Sequence, residues 1–268
     1  MKKSTLHFGE FKQYDKVFLT ADKGIDVENV LDVAFDEETL YIAQADGLLE
    51  YADGNVKKIG VKASKLFAKE GNLFAAVKNS LVEIKKGKTK KIADFDAPVV
   101  DISVALDGSM WLITEKSLYL KGDDGFTEIV DVPDETVCLA ARDNKSKYGE
   151  TVYVGSLAEG LLSMKGKRRH WAELLPENTG VSSRKINCIQ IDGLGHLWVG
   201  SDEGLNIYDG KIIGSTATIS IQFLMVLSMI CSSQRTARNI LLPIQVLSLL
   251  LKVKFLTTPM AHGLCIQQ

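Results

Sequence analysis

At 268 residues the chain is long enough for one large domain or two small ones, either with a substantial buried core. Its 34 acids and 32 bases nearly cancel, and no basic stripe interleaved with aromatics appears, which argues against nucleic acid as a partner. Four cysteines (Cys138, Cys188, Cys231 and Cys265) stand far apart without a CxxC pair. They read as small buried hydrophobes in a reducing compartment rather than as a metal or redox site.

Taken in chain order, the N-terminus has two lysines but no apolar run behind them, so no secretory signal is expected and the expected location is cytoplasmic. Residues 8–14 read as the outer strand of a preceding blade, which either completes the last blade of a closed ring or lies apart from it in an incomplete one, with 19–30 as the connection into the first repeat. Five segments then align, Thr39–Leu48, Asn72–Leu81, Ser109–Leu118, Thr151–Leu161 and His196–Leu205. Each places an aromatic third, then a short apolar stretch, a polar turn, and Gly or Ser before Leu. The aromatics Tyr41, Phe74, Trp111, Tyr153 and Trp198 recur at intervals of 33, 37, 42 and 45 residues, the spacing of propeller blades. An extended apolar segment precedes each aromatic, Val30 to Phe35 and Ile186 to Ile191 being clear cases. Hairpin signals follow, such as Asp53-Gly54, Lys86-Gly87, Gly166-Lys167 and Asp209-Gly210.

Strand, turn, aromatic strand, turn, strand, turn and outer strand make one blade. A single such sheet buries neither face, whereas radial stacking lets each cover the next. The expected fold is therefore all-β, a β-propeller of about five four-stranded antiparallel blades in a closed or an incomplete ring, spanning residues 1–213. Beyond it, residues 214–268 form a non-repeat, apolar tail without a single acid. Its apolar runs, 219–231 and 240–251, are short of the roughly 20 residues needed to cross a bilayer. The tail reads as an interfacial hairpin, a partner-binding segment, or a stretch not shaped by selection for this fold, the last being favoured. Contact with a membrane is expected only through residues 219–251.

The segment 184–210, with Asp192-Gly193-Leu194-Gly195, Leu197-Trp198, Gly200-Ser201, Gly204-Leu205 and Tyr208-Asp209-Gly210, resembles the two-component-regulator propeller repeat. His196 stands where that family often has Asn, and Ser201 replaces Thr. The earlier repeats resemble it progressively less, and the likeness covers about residues 8–213. It implies a sensing or binding propeller, with no kinase-like segment present in the chain.

No spacing among His7, His170, His196 and His262 suggests a metal site, and no nucleophile elbow or phosphate loop occurs. The chain is therefore expected not to be an enzyme and to need no cofactor. The expected role is a binding or scaffold module for a protein or a small-molecule ligand. A small-molecule sensor, or a lyase or hydrolase with a channel-mouth site, stands as the alternative. The loops between second and third strands emerge on one face and differ in sequence while the strands keep their pattern, as for a site carried on a scaffold. They nominate Asp46, Lys78, Glu115, Lys116, Glu159, Asp202 and Glu203 as binding residues.

Overall fold

The computed structural model describes residues 16–19, 23–26, 29–36, 39–69, 71–85, 87–105, 107–142, 150–166, 169–174, 181, 183–191, 195–201, 203–208, 213–217 and 264–267. It is a five-bladed β-propeller, with each blade an antiparallel sheet of four consecutive strands. Blade one is β2 to β5 (Val30–Asp36, Thr39–Gln44, Gly47–Ala52, Asn55–Ile59), and blade two is β6 to β9 (Lys65–Lys69, Asn72–Val77, Ser80–Lys85, Lys88–Asp94). Blade three is β10 to β13 (Val99–Val104, Met110–Thr114, Ser117–Gly122, Gly125–Asp131). Blade four is β14 to β17 (Thr136–Arg142, Thr151–Ser156, Gly160–Lys165, Ala172–Glu173), and blade five is β18 to β21 (Ile186–Ile191, Leu197–Ser201, Gly204–Tyr208, Ile213–Ala217). A separate two-stranded sheet joins β1 (Lys16–Leu19) to β22 (Leu264–Gln267).

Turn chemistry sets the hairpins. Asp53 and Gly54 both take positive φ, 51° and 78°, as a two-residue turn with right-handed strand twist requires. Register then follows the repeat. Tyr41, Phe74, Trp111, Tyr153 and Trp198 lie opposite Ala34, Phe67, Ser103, Ala140 and Gln190 on the first strand of their own blades. The first four each join the apolar cluster shared with the following blade. Trp111, Tyr153 and Trp198 are buried, whereas Tyr41 and Phe74 are half-buried. The leucine after each turn residue is a core residue where described: Leu48, Leu81, Leu118 and Leu161 are almost fully buried.

Blades four and five pack closely at Gly155. A Cβ on Gly155 in β15 falls 2.5 Å from Ile186 Cγ2 and 2.6 Å from Cys138 Sγ. Only glycine lets these sheets approach so closely. Residues 8–14, the candidate strand for completing the last blade, lie outside the described residues. The fourth position of that blade is taken by Ile213–Ala217, which pairs with β20. The strand therefore runs past residue 213, where the repeat pattern ends.

Candidate binding face and central channel

The first strand of every blade faces the centre. There β2, β6, β10, β14 and β18 line one channel, with Asp32, Lys65, Asp101, Ser103, Asn187 and Gln190 as its main polar side chains. Register places Asp32, Lys65, Asp101, Cys138 and Cys188 at one level, each opposite the residue two after the conserved-frame aromatic of its own blade. The channel encloses about 70 Å³. That is room for a few waters, against roughly 300–1,000 Å³ for a pocket that swallows a drug-sized ligand.

Two of the channel carboxylates stitch neighbouring blades together. Asp32 Oδ2 accepts a hydrogen bond from the Leu66 N–H of blade two at 2.9 Å. Asp101 Oδ2 accepts from the Leu139 N–H of blade four at 2.9 Å, while its Oδ1 accepts from its own neighbour, Ile102 N–H, at 3.0 Å. Ser103 Oγ accepts from Ala141 N–H at 3.0 Å. First strands of successive blades do not form a ladder, so these side chains satisfy backbone donors that face the channel.

A second polar layer caps the turns between second and third strands. The residue three after the aromatic is Gln44, Thr114, Ser156 or Ser201, and all four are buried. Ser156 Oγ accepts from Ala158 and Glu159 N–H at 3.0 and 2.9 Å and donates to Asp134 O at 2.6 Å. Thr114 Oγ1 accepts from Lys116 and Ser117 N–H at 3.2 and 3.0 Å, and Ser201 Oγ accepts from Glu203 N–H at 3.3 Å. Gln44 instead donates to Asp26 O at 2.6 Å. The Ser or Thr of the repeat is thus a turn cap. Blade two has Val77 there, and its turn carries Lys78 at φ 54°.

Asp46, Lys78, Glu115, Lys116, Glu159 and Glu203 sit in these turns, and Asp202 lies outside the described residues. Asp46 reaches the outer strand of its own blade, whereas Lys116 and Glu159 engage connectors between blades. Asp46 pairs with Lys58 at 2.6 Å, and Lys116 lies 3.6 Å from Asp96. Glu159 Oε1 accepts from Asp134 N–H at 3.2 Å. Backbone bonds tie the same turns down: Val99 N–H to Lys78 O, Glu115 N–H to Pro98 O, Val132 N–H to Lys116 O, and Leu157 N–H to Glu135 O. The result is a firm, polar face of short turns around the channel mouth, with Lys78, Glu115, Lys116, Glu159 and Glu203 exposed on it.

Electrostatics follow these contacts. The Lys58 ammonium bonded to Asp46 holds its carboxyl below the usual range, and Lys91 with Ser80 does the same for Asp94. Burial, followed by the hydrogen bond to Asp96, pushes the Tyr119 phenol up to about 12. Burial also raises Tyr153, against the opposing charge of Arg142, whose Nη1 donates to the phenol oxygen at 2.8 Å. Among the described residues no three His, Cys, Asp or Glu side chains gather as a metal site. His170 is exposed and His196 half-buried.

Sequence reasoning missed the stitching residues. The available signal was an Asp at a matching place inside two apolar first strands, Val30-Leu31-Asp32-Val33 and Val99-Val100-Asp101-Ile102.

No family model and no curated protein matches the chain. Solved structures share its shape. The extracellular domain of a putative hybrid two-component system from B. thetaiotaomicron superposes with a TM-score of 0.59 at 14% identity, covering 75% of this chain and 32% of that one. Streptogramin B lyase gives 0.58 at 12%, covering 78% and 74%, and a luciferin-regenerating enzyme gives 0.56 at 14%, covering 76% and 81%. The chain spans about a third of that extracellular domain's length. Two of these three are enzymes by name, which overturns the expectation that the chain is not an enzyme. A propeller of this shape is a scaffold on which catalysis also occurs, so fold and spacing give no ground for excluding it. At such identities the likeness is one of fold, and the fold is that of a β-propeller.

Proposed function

We propose that the chain is a binding propeller that presents the face of turns between second and third strands to a protein partner. The observation that carries this reading is the contrast between the two candidate sites. The channel holds about 70 Å³, whereas the turn face exposes charged side chains on turns tied by backbone bonds at the blade junctions. A preorganised face loses little conformational freedom on binding, which favours association with a surface. The resemblance of 184–210 to two-component-regulator propellers supports a sensing or platform role. Partner recognition is assigned to Lys78, Glu115, Lys116, Glu159 and Glu203, with Asp46 and Asp202 at the corresponding positions of the first and fifth sequence repeats.

The test is affinity capture with the full chain beside two variants, Glu115→Lys/Lys116→Glu and Glu159→Lys, each checked for its fold by circular dichroism. A partner retained by the parent and lost from both folded variants is the expected result. Capture indifferent to both variants overturns the assignment. So does turnover of a small ester or lactone that Asp101→Asn abolishes, since that places function in the channel.

A further inference from the structure

Charge around the ring is sorted by blade. Residues 55–91, which run from the outer strand of blade one through most of blade two, hold eleven lysines and two acids. Residues 94–135, which cover the end of blade two and all of blade three, hold eleven acids and two lysines. The contrast is sharpest at two hairpins in equivalent places on neighbouring sheets, the turns between third and fourth strands. In blade two Lys85, Lys88, Lys90 and Lys91 are exposed, and in blade three Asp123 and Asp124 are exposed.

Local strand pairing accounts for only part of this arrangement. Lys90 stands opposite Glu83 across the β8–β9 ladder, but Lys85 stands directly opposite Lys88, and like charges so placed oppose pairing. Lysines on an outer strand do discourage edge-to-edge joining of sheets, but that explains β9 and not the acidic hairpin beside it. Away from the hairpins Lys58 pairs with Asp46 and Lys116 with Asp96, but little of the hairpin charge is neutralised internally. Lys91 pairs with Asp94, and Lys85 bonds to Asn72. Among the described residues, Lys88, Lys90, Asp123 and Asp124 make no side-chain bond.

We propose that these two hairpins form a self-complementary surface through which two copies of this chain associate about a two-fold axis. The lysine hairpin of each copy lies against the aspartate hairpin of the other. A two-fold interface uses the same patch on both partners, so neighbouring areas of opposite sign satisfy each other reciprocally. The overall charge of −2 leaves little long-range repulsion between copies. A uniformly acidic partner fits less well, because the aspartate hairpin beside the lysines repels it. This surface is separate from the turn face assigned above and does not depend on that reading.

The test is sedimentation velocity on the full chain at ionic strengths of about 0.01 M and about 1 M, where charges are screened beyond roughly 30 Å and roughly 3 Å. A dimer at low salt is expected, with its dissociation constant rising about tenfold or more at high salt. Two charge reversals sharpen the result, Lys85→Glu/Lys88→Glu/Lys90→Glu and Asp123→Lys/Asp124→Lys. Each alone should be monomeric, and an equimolar mixture should recover the dimer, since one copy then offers acids on both hairpins and the other offers bases. A parent that is monomeric at both salts, even if it binds polyglutamate, overturns the proposal. So do a salt-insensitive dimer, reversed variants that still dimerise alone, or a mixture that stays monomeric. Should a reversed variant fail to fold, the salt dependence of the parent decides by itself.

Discussion

Replacing Asp101 with alanine removes the acceptor that joins blade three to blade four. Its two carboxylate oxygens take the Leu139 N–H at 2.9 Å and the Ile102 N–H at 3.0 Å. Leu139 is only 3% exposed, so its amide has little recourse to bulk water. A hydrogen bond to a charged group contributes about 1.5–3 kcal/mol, and a buried donor left unmade costs about 1–3 kcal/mol. These overlap as descriptions of one loss, so Asp101→Ala is expected to cost about 2–3 kcal/mol in all. For a domain of this size that lowers the melting temperature by about 4–12 °C. Asp101→Asn keeps a carbonyl acceptor at the same reach and should cost about half as much. Asp32→Ala removes the corresponding bond to Leu66 between blades one and two. The two junctions share no partner, so the double variant should show additive losses to within about 0.5 kcal/mol. Guanidinium and thermal unfolding followed by circular dichroism measure all four variants. An Asp101→Ala loss below about 0.5 kcal/mol, or an Asn variant as damaged as the Ala one, would refute the stitching role.

Gly155→Ala places a methyl against Ile186 and Cys138 and should destabilise the protein by about 1–3 kcal/mol. Gly60→Ala, whose Cβ meets nothing within 4 Å, should stay within about 0.5 kcal/mol, and equal losses at the two sites would show that packing is not the cause. Ser156→Ala breaks three hydrogen bonds of one turn and should cost about 1–3 kcal/mol, with most of it restored by Ser156→Thr; denaturant melts compare the pair. Tyr119 binds its proton more tightly folded, with a pKa of about 12, than unfolded. The unfolded chain therefore releases that proton first, and stability falls as pH rises from about 10 to about 12. Melts across that window should show a shallower fall in Tyr119→Phe, and an unchanged slope removes Tyr119 as the source.

Blade number, strand order and hairpin positions were legible because they are written locally. A strand alternates at a period of two, a turn such as Asp53-Gly54 needs residues that accept positive φ, and the aromatic marks one frame in each repeat. The same frame puts the loop residues Lys78, Glu115, Lys116 and Glu159 in equivalent turns of their repeats. What each of those side chains touches was not legible, because Asp96 and Asp134 come from connectors between blades, whose approach no local pattern specifies. The sequence alone therefore determined a repeated four-stranded unit and its aromatic packing residue. Tertiary structure decided what radial stacking creates: the narrow channel and the carboxylates of Asp32 and Asp101 bridging first strands 34 and 38 residues apart. It also decided the strand Ile213–Ala217 that closes the sheet of blade five. The physical reason is that a blade's own sheet is satisfied by neighbours in sequence, whereas the free amides and bare faces left over are satisfied only by the next blade.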